Sequence, residues 1–384
     1  MAPVTEKTPF DFEALRRYPD VEAPNLFAYD PSDRLILAEA AETLAASGPG
    51  DVAVIGDEYG ALTLAAAHDH GLTGIRVHQD ALSGELALGF NARAEHLGDV
   101  YENHALGESL LSGARVVLLQ LPRSLEELDD IASAVARWAD PSVVVYSAGR
   151  IKHMTLGMNE VLARYFTRID VTRAQQKSRG LIAREPRSDA PVATPRSQYH
   201  SDIDLTVVAT GSVFAGTKVD IGTRALLAVL DRIDPDAQTA IDLGAGTGIL
   251  AATLAKSRPG MRVIATDQSA AAVASATATM AANGLTERVT VVRDDGLSSQ
   301  ADESADVVVV NPPFHIGGAV HAGAAINLLS DVYRVLKPGG QLWAVYNTHL
   351  AYRAEMGRLV GPTTPISRNE KFTVTLAEKP LTET

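Results

Sequence analysis

Four valines, Val307 to Val310, run straight into Asn311-Pro312-Pro313-Phe314. So apolar a run of β-branched residues reads as a buried strand, and the paired prolines must end it. Proline also pushes the residue before it toward extended geometry. Asn311 and Pro312 therefore occupy a stiff segment at the carboxyl end of a strand, where open α/β sheets bind ligands. Asn311 offers a side-chain carbonyl and Pro312 a main-chain carbonyl. Two fixed acceptors suit a planar NH2 group gripped by both hydrogens, and Phe314 can lie against a flat ring. His315 and His321, just beyond, read as loop or packing residues.

The surrounding chain alternates strand and helix with short connections, which predicts an α/β fold with a doubly wound, mostly parallel sheet. Strands are expected at 239–243, 263–267, 289–292, 307–310 and 341–346, with a late antiparallel strand at 372–376. Helices are expected from Ile249, over 270–283 and over 324–336, the last closed by a turn at Lys337-Pro338-Gly339-Gly340. The first half repeats this rhythm more weakly. Asp51–Ile55 with Gly56-Asp57-Glu58-Tyr59-Gly60, Ile75–Gln79, Arg115–Leu119 with Gln120-Leu121-Pro122, and Ser142–Tyr146 parallel the later strands and turns. Two tandem Rossmann-like domains are expected, the first stripped of its special residues.

Asp242-x-Gly244-x-Gly246-x-Gly248 joins the first strand of the second half to its helix. Such glycines permit a tight turn and close backbone approach, and the helix N-terminus offers N–H groups to a carboxylate or phosphate. The dinucleotide fingerprint has three steps between its last two glycines, whereas this turn has two. A dinucleotide-dependent oxidoreductase is therefore a weak alternative. Asp242 suits a cationic ligand end, Asp267 is placed for ribose hydroxyls, and Asp295 for an adenine amino group. An amino acid end, a ribose and an adenine together describe S-adenosylmethionine. The expected cofactor-binding set is Asp242, Gly244, Ala245, Gly246, Gly248, Asp267, Gln268, Asp295 and Asn311. The expected catalytic set is Asn311, Pro312, Pro313 and Phe314.

Absence of cysteine removes thiolate metal sites and thiol nucleophiles, and with no close His pair no metal is expected. It also closes the covalent route to pyrimidine C5 methylation. No apolar run is long enough for a membrane span and no leader pattern is evident, so a cytoplasmic protein without membrane partners is expected. The net charge of −13 is uneven: residues 1–149 carry −15, 150–200 carry +6 and 201–384 carry −4. The basic block is either a solvated face or a phosphate-contacting patch on an otherwise repelling surface.

The glycine turn and the Asn-Pro-Pro-Phe strand end, together, resemble the class I methyltransferases of exocyclic amines. Within them the chain resembles the bacterial ribosomal RNA guanine-N2 methyltransferases of the small or large subunit. Leu15-Arg16-Arg17-Tyr18-Pro19, Asp30-x-x-Asp33, Gly149–Met154 and Gln175–Arg179 match that family's inactive first domain. Gly211–Phe214 with Asp220–Thr223 resembles the segment closing over the cofactor, and Asn347–Leu350 with Asn369–Phe372 its C-terminal elements, with a slight tilt toward the large-subunit branch. The resemblance implies a degenerate methyltransferase-like domain over 1–185 that helps bind RNA, a linker over 186–200, and a catalytic domain over 201–384. It also implies methyl transfer to guanine N2 in ribosomal RNA, whether in naked RNA, a subunit or an assembly intermediate. The oligomeric state is open, with a monomer as default. Adenine N6 in nucleic acid, a protein glutamine, and a noncatalytic RNA-binding or assembly role are the alternatives.

Overall fold

A computed structural model describes residues 8–211, 213–312, 328–350 and 352–381. Its contacts divide the chain into two compact units, Met1–Thr194 and Pro195–Thr384.

The first unit holds strands β1 (Val52–Ile55), β2 (Ile75–His78), β3 (Tyr101–Asn103), β4 (Val116–Gln120), β5 (Val144–Arg150), β6 (Phe166–Val171) and β7 (Ser178–Pro186). Its helices are α1 (Pro31–Ala45), α2 (Ala61–His70), α3 (Leu82–Ala94), α4 (Glu108–Leu111), α5 (Leu125–Trp138) and α6 (Leu156–Tyr165). The strand order is β3-β2-β1-β4-β5-β7-β6, with β7 antiparallel to its neighbours.

The second unit opens with a hairpin, β8 (Arg196–His200) and β9 (Leu205–Ala209). It continues through α7 (Ile221–Leu227), β10 (Thr239–Leu243), α8 (Ile249–Ser257), β11 (Arg262–Asp267), α9 (Ala270–Ala282), β12 (Val289–Arg293), β13 (Ala305–Val310), β14 (Leu336–Asn347), β15 (Thr363–Arg368) and β16 (Phe372–Glu378). Its order, β12-β11-β10-β13-β14-β16-β15, is the first unit's order over again, with β16 likewise antiparallel. Two sheets of seven strands with one order argue for duplication rather than chance likeness.

β13 runs between β10 and β14 and carries the valines into the centre of its unit. Val307 and Val309 feed the core on one face of the sheet, Val308 and Val310 the core on the other. All four are at most 4% exposed. Side chains alternate across a strand, so only an apolar run can bury both faces. Each such valine contributes roughly 1.5–3 kcal/mol of transfer free energy as an upper bound. In the first unit β4 does the same, with Val116 and Leu118 on one face and Val117 and Leu119 on the other.

Two expectations change. Lys337-Pro338-Gly339-Gly340 is no separate turn: β14 starts at Leu336, which pairs with Ala305, and the next pair is Val307 with Gln341. Four residues lie opposite one, so the prolyl-glycyl stretch is a bulge within the ladder, with Gly339 at φ +79°. The linker expected at 186–200 is strand at both ends, Pro186 closing β7 and Arg196 opening β8. The hairpin docks on α9 instead of trailing free. Ser275 Oγ, Thr279 Oγ1 and Asn283 Oδ1, spaced four apart, accept from the backbone N–H of Thr210, Val208 and Thr206 at 3.0 Å each. Among the described residues no helix is long and apolar enough to cross a membrane.

Candidate active site

β10 ends at Leu243, and its neighbours fix what surrounds that end. Leu243 pairs with Thr266 on one side and Val310 on the other. The residues that follow, Gly244, Asp267 and Asn311, therefore share one edge of the sheet, the carboxyl end of its parallel strands. Asp294 N–H donates to the Asp267 carbonyl at 3.0 Å, which brings the end of β12 alongside.

The turn from β10 to α8 is backbone laid bare. Gly244, Gly246 and Gly248 have φ of +70°, +54° and +77°, where side chains are strained. Among the described residues a Cβ at Gly244 or Gly246 would meet nothing within 4 Å, while one at Gly248 would lie 2.7 Å from Met280 Cε. The first two glycines thus face open space and the third faces α9. Gly244 and Ala245 N–H donate to the Thr266 carbonyl, holding the turn against β11.

Asp242 is 1% exposed. Its Oδ2 accepts from Ala251 N–H at 2.9 Å, and its Oδ1 is buried with no hydrogen-bond partner among the described residues. Burial, followed by the nearby Asp267 charge, raises its pKa to about 7 against the Ala251 bond. A buried acceptor with no donor is costly, and a cationic ligand end would relieve it. Asp267 Oδ2 accepts from Gly246 N–H at 2.9 Å and Oδ1 from Ser269 N–H at 3.0 Å, which sets the carboxylate beside the bare turn. Gln268 is exposed. Asp294 is spent locally, accepting from Ser298 Oγ and from Ser299 N–H and Oγ. Asp295 is half-buried, with a pKa raised by burial and by Asp294 and Asp331.

Asn311 is held from an element that sequence patterning did not connect to it. Its Nδ2 donates to Asp220 Oδ2 and to Thr223 Oγ1, each at 3.0 Å. Asp220 is the N-cap of α7 and also accepts from Gly222 and Thr223 N–H. Asp220–Thr223 was flagged only through its family resemblance. Its usable signal was an Asp capping a helix whose position N3 carries a hydroxyl. Val213 packs with Ala209 and Ala272, and Thr210 bonds Ala271 and Ser275, so the segment leading to α7 is docked on α9. Phe214 is 59% exposed. Arg224 pairs with Asp202, so its charge is engaged within the fold. Pro313, Phe314, His315 and His321 lie outside the described residues.

Register places the first unit's counterparts. Ile55 pairs with His78 and Leu119 as Leu243 pairs with Thr266 and Val310. Gln79 thus stands for Asp267, Gln120 for Asn311 and Glu58 for Gly246. Gln79 Oε1 accepts from Glu58 N–H at 2.9 Å, as Asp267 does from Gly246. A glutamate side chain replaces the bare glycine, and Asp57 uses both oxygens on Leu62 and Thr63 N–H. The fold of the site survives there, without its open cradle.

Several cations of the basic block serve the fold. Arg164 pairs with Asp129, Arg168 and Arg184 with Asp170, and Arg150 donates to the Gln176 carbonyl.

Two family models cover nearly the whole chain, an RLMG N-terminal domain on residues 5–188 and a methyltransferase small domain on 204–376. A ribosomal RNA large subunit methyltransferase G from Shewanella amazonensis is 32% identical over 97% of each chain. The protein of that name from Streptomyces avermitilis is 31% identical over 97% of this chain and 98% of its own. The chain belongs to the ribosomal RNA large subunit methyltransferase G family. A solved T. thermophilus 16S rRNA N2 methyltransferase, in complex with AdoMet and guanosine, shares the fold with a TM-score of 0.72, 23% identity and coverage of 91% and 92%. Members of this family are S-adenosylmethionine-dependent methyltransferases, and the cradle fits that cofactor. Two bare glycines face open space, and an orphaned buried carboxylate oxygen lies behind them.

Proposed function

We propose that the chain methylates the exocyclic N2 amine of a guanine in large-subunit ribosomal RNA. S-adenosylmethionine, when bound, supplies an electrophilic methyl group on a sulfonium sulfur. Asp242 balances the cationic amino end, Gly244, Ala245, Gly246 and Gly248 admit the ligand's backbone-hugging approach, Asp267 with the adjacent Gln268 takes the ribose, and Asp295 meets the adenine amine. The observation that carries the proposal is the fixed orientation of Asn311. With Nδ2 committed to Asp220 and Thr223, the amide keeps its carbonyl oxygen, which accepts from none of the described residues, as the acceptor for a substrate donor.

Asn311 Oδ1 and the Pro312 carbonyl accept the two N2 hydrogens. That pairing favours a pyramidal nitrogen whose lone pair is aimed at the methyl carbon. With the donor bound, the new N–C bond would take its electrons from that lone pair while the broken carbon–sulfur bond left its electron pair on sulfur. The N2 proton becomes acidic only as the bond forms and leaves to water, so no strong base is needed. Positioning is the main contribution, a source worth roughly 7–11 kcal/mol in well-oriented systems. Phe314 is assigned to stack on the extruded base, worth about 1–3 kcal/mol, with Pro313 stiffening the segment between them. Residues 1–185 are assigned to RNA recognition and 201–384 to catalysis.

The test is transfer of tritiated methyl to large-subunit RNA stripped of modification, followed by nucleoside analysis. N2-methylguanosine is the expected product. Asn311→Ala should lower kcat by roughly 100-fold or more, about 2.7 kcal/mol of lost transition-state stabilisation. Label found only in N6-methyladenosine or in protein glutamine would replace guanine as the target.

A further inference from the structure

We propose that Asp220 and Thr223 are positioning residues whose task is to fix which end of the Asn311 carboxamide is the acceptor, and that Gly222 is glycine so that no side chain covers the amide oxygen. The proposal rests on the catalytic assignment of Asn311 above and deepens it.

A carboxamide can turn over, exchanging its donor and acceptor ends at little cost unless neighbours decide. Here they decide. Asp220 Oδ2, already accepting from two backbone N–H groups, is an acceptor that only the NH2 end can face. Thr223 Oγ1 takes the second Nδ2 hydrogen. Turned over, the amide would set its oxygen 3.0 Å from a carboxylate and present a donor to a substrate that also donates. Both holders lie at the N-terminus of α7, one as its N-cap and one in its first turn, and reach Asn311 across 91 and 88 residues of sequence. The amide oxygen lies against Gly222, where an added Cβ would sit 2.9 Å from Asn311 Oδ1 and 2.9 Å from Asp220 Oδ2.

The first unit supplies an independent comparison. Asp30 caps α1 as Asp220 caps α7, and Gln120, which ends β4, stands in register where Asn311 follows β13. Gln120 Nε2 donates to Asp33, the counterpart of Thr223. Where the second unit has Gly222 the first has Ser32, whose Oγ lies within hydrogen-bonding reach of Asp30 Oδ1, the nearer acceptor, and of Gln120 Oε1 at 3.2 Å. The first unit thus sets a hydroxyl beside the amide oxygen where the second has only a glycine hydrogen. The duplicated clamp is thus present twice, once closed on itself and once left open.

Steady-state kinetics of the full chain on unmodified large-subunit RNA, with S-adenosylhomocysteine titration alongside, tests this. Thr223→Val should lower kcat about tenfold, and Thr223→Ser should restore it. Gly222→Ser, adding a hydroxyl toward the amide oxygen, should lower kcat at least as much. In each, affinity for S-adenosylhomocysteine and KM for RNA should stay near wild type, a split that general loosening of α7 would not give. Wild-type kcat in Thr223→Val and Gly222→Ser, with Asn311→Ala inactive, overturns the clamp and keeps the catalytic assignment. Full activity in Asn311→Ala overturns both.

Discussion

A glycine's role is decided by what its missing side chain would touch, and the cofactor turn contains two kinds. Gly246 and Gly248 both sit at positive φ, so alanine at either is strained by about 1–2 kcal/mol. They differ in what lies beyond. A methyl on Gly246 enters empty space that the ligand needs, whereas one on Gly248 collides with Met280 and Ala276 on α9. Gly246→Ala should therefore fold, with a modest loss of stability, and bind S-adenosylhomocysteine far more weakly. Gly248→Ala should lose more stability, and its denaturation midpoint should fall even without ligand. Urea titration and calorimetry on the two variants separate the effects. Equal stability losses would show that the α9 contact relaxes freely.

At the scale of elements, the hairpin and α9 form a joint that backbone chemistry explains. Among the described residues β9 has one partner strand, so its other edge would leave N–H groups bare. Ser275, Thr279 and Asn283 lie one helical turn apart and satisfy three of them. Thr279→Val keeps the shape and removes the acceptor for Val208 N–H, so it should cost about 1–3 kcal/mol. Because β9 leads to the docked segment before α7, the same variant should also weaken cofactor binding. Unchanged cofactor affinity with reduced stability would confine the joint to a structural role. The sheet strands and the glycine turn were legible because their patterns are local: period two, an apolar run, a glycine string, a proline stop. The hairpin was not, since Arg196 to Tyr199 are exposed and polar and gain strand structure only from β9. Nor was the hold on Asn311, because nothing within ten residues of it names Asp220 or Thr223. The bulge at Lys337–Gly340 was misjudged as a turn, since prolyl-glycyl sequence marks both and only the register with Ala305 and Val307 distinguishes them.

For the whole molecule, each unit buries an aspartate at the turn after its first sheet strand or just before it, and together they set a pH dependence. Asp242 has its pKa raised to about 7 and Asp57 to about 6, burial being the leading cause in both. In the unfolded chain each titrates near 4. Between about pH 4 and 7 the folded protein therefore holds protons that the unfolded chain has released. Stability then falls as pH rises through that window, and above it these two groups add no further slope. In the ligand-free protein the unfolding midpoint should be lower at pH 8 than at pH 5. Asp242→Asn cannot ionise, so it should flatten the slope of the second unit and raise its stability at pH 8. It should also bind S-adenosylhomocysteine more weakly, having lost the charge that pairs with the amino end. Saturating ligand should act in the opposite sense to pH, because a cation at Asp242 favours the ionised form and offsets its burial. The stabilisation by ligand should accordingly be larger at pH 8 than at pH 5. Unfolding of wild type and Asp242→Asn at both pH values, with and without ligand, reads every term. A slope that persists undiminished in Asp242→Asn would assign the dependence to other groups and leave the orphaned oxygen without its cationic partner.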